Sequence, residues 1–200
     1  MSLMLRGTAL HEAGHALLAT SLGVPVAVAT VEPTAWSRGH VEWGKGWRAD
    51  APSPPLFDPN DNFPAILVYG VLIDLAITAA GPCAEALLFD AQQEWRPNND
   101  VDQEENAAIA LCEAVGAPLG WAGYVRTVVR DCVQAYLRSH TAALEVLAEA
   151  LIAHRTLNGE QVDALLLDHD LPAVDLAKAT ELARGLFRRH RRARRETVTT

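Results

Sequence analysis

The sequence predicts a mainly α-helical domain with one short pair of β-strands. Three observations predict it. Apolar residues recur at helical spacing over most of the 200 residues. Only two short stretches, 24–31 (rich in Val and Thr) and 39–43 (alternating), read as strands. The pentapeptide His11-Glu12-Ala13-Gly14-His15 lies inside a run that is otherwise helical. Half of the residues are hydrophobic, enough for a sizeable core in one domain, read as residues 1–183 with a basic helix end or tail at 184–200.

In chain order, residues 4–22 form the first helix. Leu10, Ala13, Gly14, Leu17, Leu18 and Ser21 make one stripe at i, i+3, i+4, i+7 spacing, and Gly23 with Pro25 stops it. Gly14 costs about 1 kcal/mol against Ala in a helix interior, so its small size implies a backbone packed close behind the motif. The two strands follow, joined by a turn around Glu32-Pro33-Thr34. Prolines 52, 54, 55, 59 and 64 make 44–64 a long loop, either a lid or binding loop over the site or a surface insertion. A strongly apolar helix spans 65–90, broken near Gly81-Pro82. It approaches membrane-spanning length, but Asp74 and Glu85 interrupt it, and it reads as a buried core helix. A loop at Glu94–Asn99 precedes a helix that starts at Asp100 or just before it and runs to about Val115. Gly116-Ala-Pro-Leu-Gly120 is a break, and helices follow at about 121–139 and 141–156. Asn158-Gly159 reads as a stop, 160–167 as a short helix, and 173–192 as the last one.

Charge is unevenly spread. Seven arginines and no acid lie between Arg184 and Arg195; setting them aside takes the net charge from −8 to −15. An acidic body therefore carries a basic end. Cys83, Cys112 and Cys132 are odd in number and lack C-x-x-C spacing, which argues against a cysteine zinc site or a disulfide framework and fits a reducing, cytoplasmic setting. No secretory signal precedes the first helix, and no G-x-x-x-x-G-K-[ST] phosphate loop is present.

The chemistry lies in His11-Glu-Ala-Gly-His15, an H-E-x-x-H pattern. Histidines four apart on a helix share a face one turn apart, and two neutral imidazoles there can reach one Zn²⁺. Glu12, beside them, is placed to take a proton from a water that zinc acidifies, as general base. A catalytic zinc needs a third protein ligand, and the extended motif is absent: Leu18 and Ser21 stand where its glycine and third histidine would fall. Two distant carboxylates compete. Glu85 sits in the apolar Gly81-Pro-Cys-Ala-Glu-Ala-Leu-Leu88; Asp100 sits at a helix entry in Asn98-Asn-Asp-Val101. Residue chemistry leaves the two nearly even: Glu85 can instead support a ligand histidine, and Asp100 can be a helix N-cap.

The chain resembles the peptidase domain of the FtsH-type ATP-dependent zinc metalloproteases. The resemblance is collinear over most of its length. His11-Glu-Ala-Gly-His-Ala-Leu17 resembles that family's zinc helix, and Ala29-Thr-Val-Glu-Pro33 with Gly39 its following strand and turn. Ala80-Gly-Pro-Cys-Ala-Glu-Ala-Leu-Leu88 resembles its second helix motif, and Asn99-Asp-Val101 the segment whose aspartate is the third zinc ligand. Gly116-Ala-Pro-Leu-Gly120, and Leu147-Ala-Glu-Ala-Leu151 with Thr156-Leu-Asn-Gly-Glu160, resemble its later motifs. The resemblance implies a zincin-like helical fold with ligands His11, His15 and Asp100, Glu12 as base, and Glu85 in support. It also implies a polypeptide substrate held along the strand edge Val28–Val31. The family's ATPase module and membrane anchor are missing and Pro82 departs from its motif, which points to cleavage of flexible or unfolded segments unless a separate ATPase or unfoldase feeds the site. The family's rings of six make a homo-oligomer conceivable, although much of that assembly depends on the ATPase module. The alternative reading is a retired peptidase-like domain that binds a partner or nucleic acid through Arg184–Arg195; a solvated helix end balancing the acidic body is the plainer account of those arginines, so nucleic acid is not the expected partner.

Overall fold

The computed structural model describes residues 3–34, 37–44, 63–88 and 99–198. The long loop placed at 44–64 and the loop placed at 94–99 lie almost wholly outside the described residues. Seven α-helices and three short strands make up the described chain: α1 (Leu3–Ser21), β1 (Val26–Thr30), β2 (His40–Trp43), α2 (Ala65–Leu88), α3 (Asn99–Val115), α4 (Ala122–Ser139), α5 (Thr141–His154), β3 (Thr156–Asn158), α6 (Gly159–Leu166) and α7 (Ala177–Val198), with a 3₁₀ turn at Leu119–Trp121 before α4. The protein is mainly helical, as the periodicity predicts.

Helix α2 is the centre. It packs on α1, α3, α4 and α7, while α1 also packs on α5 and the sheet lies against α1 and α6. The core is continuous and built from Leu10, Leu17 and Leu18 of α1, Leu72, Ile73 and Leu75 of α2, Leu111 of α3 and Leu144 and Leu151 of α5, among others. Among the described residues, α2 alone is long and apolar enough to cross a membrane; 56% of its most apolar window is buried inside the protein. Helix α1 is not the one-striped helix its spacing predicts. Ala9, Ala16 and Ala19 are as fully buried as Leu17, because α2, α5 and the sheet enclose it on several sides.

Helix α2 also runs unbroken through Pro82, where a break is expected. Proline removes one helical N–H and crowds the residue before it, chiefly through that residue's Cβ. Gly81 has no Cβ, so that part of the crowding is relieved, and what remains is the lost hydrogen bond and the ring's approach to the Thr78 carbonyl. Helix α1 does end as predicted: Gly23 takes φ +72°, and the Val24 amide returns to the Ala19 carbonyl at 2.9 Å.

The sheet differs from the predicted pair. Its order is β2-β1-β3, with both pairings antiparallel. Helix α5 stops at His154 because Arg155 turns to φ +67°, and the next three residues pair with Val28–Thr30. The Arg155 carbonyl receives the Val31 amide at 2.8 Å, and the Thr30 and Thr156 hydroxyls meet at 2.7 Å. Asn158 starts a helix instead of stopping one: its side chain accepts from the Gln161 amide while the Gln161 side chain accepts from the Asn158 amide, both at 2.9 Å. The last helix begins at Ala177, four residues later than expected, and continues through Arg184 to Val198.

Candidate metal centre

Helices α1 and α2 run antiparallel with their backbones unusually close. A Cβ at Gly14 would stand 2.6 Å from the Ala80 carbonyl oxygen, the close approach that this glycine implies. The same register brings both motif histidines over Gly81, where a Cβ would strike Nε2 of His15 and of His11.

The third group arrives from α3. Asp100 Oδ2 lies 2.7 Å from His11 Nε2 and 3.6 Å from His15 Nε2, and the two Nε2 atoms are 3.0 Å apart. A tetrahedral zinc with bonds of about 2.0–2.1 Å places its ligand atoms about 3.3 Å from one another. The three observed separations bracket that value. All three ligand atoms lie within 4.8 Å of one another, and His11, His15 and Asp100 are the only such group of three among the described residues.

The remaining ring nitrogens are held as metal-binding histidines require. His15 Nδ1–H donates to the Ile77 carbonyl at 2.7 Å, which assigns the tautomer and leaves Nε2 with its lone pair facing the cluster. His11 Nδ1 faces Glu85 Oε2 at 3.6 Å. Glu85 therefore stands behind His11, on the nitrogen away from the cluster, and Asp100 stands in it. The donor set of two imidazoles and one carboxylate fits zinc.

The electrostatics favour positive charge at this point. Burial opposes a charged His11, but the Asp100 and Glu85 carboxylates outweigh it and push His11 up to about 10. Burial would raise Asp100; hydrogen bonds from His11 and His15 outweigh it and hold Asp100 well below the usual carboxylate range. Glu12 is buried, and burial pushes its pKa up against the pull of His15 and His11. A raised carboxylate is a stronger base near neutral pH.

The residue before β2 closes the site over Glu12. A Cβ at Gly39 would lie 2.8 Å from Glu12 Oε1, so only glycine lets this turn seat on the carboxylate. His40 follows at the start of β2, and its Nε2 is 3.3 Å from Glu42 Oε1. Sequence reasoning does not single out His40, nor the Ile77 carbonyl, since neither carries a local motif. One expectation is corrected outright. Val28–Val31 is not an open edge, because β1 is the central strand with β2 on one side and β3 on the other.

The arginine-rich end is partly folded against the body. Arg184 pairs with Glu181 at 3.1 Å and lies over the Phe63 ring, and Arg191 lies over Phe187.

Compared with known proteins, the chain matches no family model and no curated protein. The class of the site rests on its own geometry: a partly buried His-His-carboxylate centre of metal-ligand spacing, with a glutamate beside it.

Proposed function

We propose that this protein is a zinc-dependent endopeptidase of zincin-like build, with His11, His15 and Asp100 as ligands and Glu12 as general base. The observation that carries the reading is the convergence of the three ligand atoms at 2.7, 3.0 and 3.6 Å. The collinear resemblance to FtsH-type peptidase domains supports it. When bound, zinc would polarise the scissile carbonyl and acidify the attacking water. Glu12 takes one proton as the water oxygen bonds to the carbonyl carbon, then delivers it to the amine as the C–N bond breaks. Glu85 steadies the His11 ring, and the Ile77 carbonyl steadies His15.

The substrate is an extended polypeptide. With β1 occupied on both sides, the outer edge of β2, which has no partner strand among the described residues and begins beside Glu12, is the place for an added strand held by backbone hydrogen bonds. A site served this way takes flexible or unfolded segments. Folded substrates would need an unfoldase to feed the site.

The test is hydrolysis of an unfolded protein such as reduced casein by the zinc-loaded chain, beside Glu12→Gln. The expected result is cleavage by the parent and a loss on the order of 10²-fold or more in the variant, with zinc retained. Equal rates in the two proteins would remove Glu12 from the chemistry and overturn the mechanism.

A further inference from the structure

Glu104 is wholly buried, yet it belongs to no part of the centre described above. It lies four residues after Asp100 on α3, one turn along the same face. Arg130 of α4 grips it with both arms of its guanidinium, Nε to Oε2 at 2.8 Å and Nη2 to Oε1 at 2.7 Å. Arg126, one turn earlier on α4, brings its Nε to 3.4 Å from the same Oε2 and its Nη1 to 3.8 Å from Glu105.

Stability alone explains this arrangement poorly. Glu104 gives up its hydration entirely while the Arg130 side chain stays 36% exposed; the attraction is offset by the loss at Glu104, and apolar residues of equal volume often serve the fold as well. What a two-armed pair supplies is geometry, because it forms in one orientation of each helix only. Orientation is what Asp100 needs. Its carboxylate stands about 5–6 Å from the α3 axis, so a 20° turn of the helix would carry it about 2 Å sideways. Metal ligands tolerate about 0.2 Å.

We propose that the Glu104–Arg130 pair, buttressed by Arg126, is the positioning element that sets the rotation of α3 and so presents Asp100 to His11 and His15. The inference rests on the zinc reading and adds to it a requirement for α4, which contributes no ligand. Glu104, Arg130 and Arg126 are positioning residues; none touches the centre.

The experiment measures zinc affinity by competition with a chromogenic chelator, and melting temperature, on the full chain. The variants are Glu104→Gln, Arg130→Lys, Arg130→Met and the double Glu104→Met/Arg130→Met. The expected result is zinc binding weakened on the order of tenfold in Arg130→Met and in the double variant. Arg130→Lys, which keeps the charge and loses the fork, falls between these and the parent. The double variant keeps its helical content and melts within a few degrees of the parent, so affinity is lost without stability. Parent-like zinc affinity in the double variant would overturn the proposal. Should the double variant not fold, Arg130→Lys decides: parent-like affinity at an unchanged melting temperature overturns it equally. A parent chain that binds no zinc is a different failure, removing the metal centre and this inference with it. A parent that binds zinc while every brace variant binds as well removes the inference alone.

Discussion

Gly14 of α1 rests against the Ala80 carbonyl of α2, so closely that a Cβ at position 14 would lie 2.6 Å from that oxygen and 2.7 Å from the Ala84 Cβ. This contact sets how far apart the two helices stand, and therefore whether His11 and His15 reach over α2 to meet Asp100. Ala at position 14 would gain about 1 kcal/mol in helix propensity, but overpacking against backbone costs about 1–3 kcal/mol. Gly14→Ala is therefore expected to lower the melting temperature by a few degrees. Gly70→Ala and Gly185→Ala, where an added Cβ meets nothing within 4 Å among the described residues, are expected to raise it. Thermal unfolding of the three variants checks the sign at each position, and a stabilised Gly14→Ala would refute the close packing.

Gly81 is the floor beneath the histidines. An added Cβ would stand 2.6 Å from His11 Nε2 and would also strike His15, and neither ring can retreat without leaving its partner, Glu85 or the Ile77 carbonyl. Gly81→Ala is expected to weaken zinc binding on the order of tenfold or more. A melting curve on the metal-free protein separates this loss from the cost of placing a Cβ before Pro82. Unchanged zinc affinity would place the metal elsewhere.

The cysteines test the core independently of any metal. All three are free; Cys83 and Cys112 are buried and Cys132 is half-buried. Burial pushes the Cys83 thiol up to about 11. Relative to a thiol at its usual value of 9.0, about a hundredfold less of it is thiolate at pH 8, and the thiolate is the form that reacts. Brief native-state alkylation at pH 8 is expected to mark Cys132 first and to spare Cys83 and Cys112 until denaturant is added. Mass spectrometry of the labelled peptides reads this directly, and early labelling of Cys83 would contradict the continuous α2 packed on α4.

Local chemistry reached some of this structure and not the rest. The histidine pair and its glutamate are legible because a four-residue spacing on a helix is itself a geometry. The choice between Asp100 and Glu85 is not, since it depends on which turn of α2 and α3 faces α1; residue chemistry leaves the two nearly even, and the family resemblance implies Asp100. In the structure, Glu85 lies on the far nitrogen of His11 and Asp100 on the near one. Strand β3 has no local signature because Thr156-Leu-Asn is only three residues long and its partner, β1, is more than 120 residues away in the chain. Its presence moves β1 from edge to centre. The continuity of α2 is not legible locally because Pro82 ordinarily ends a helix; the missing Cβ at Gly81 eases its fit. The Glu104–Arg130 pair has no local signature at all: a glutamate and an arginine 26 residues apart look like two solvated charges until α3 and α4 are packed together.

The most direct test of the central claim is the zinc content of the purified protein, measured beside Asp100→Ala and Glu85→Ala. The account predicts one zinc per chain in the parent, its loss in Asp100→Ala and its retention in Glu85→Ala at reduced affinity. Zinc that survives Asp100→Ala, or a parent that takes up none when zinc is supplied, would contradict it.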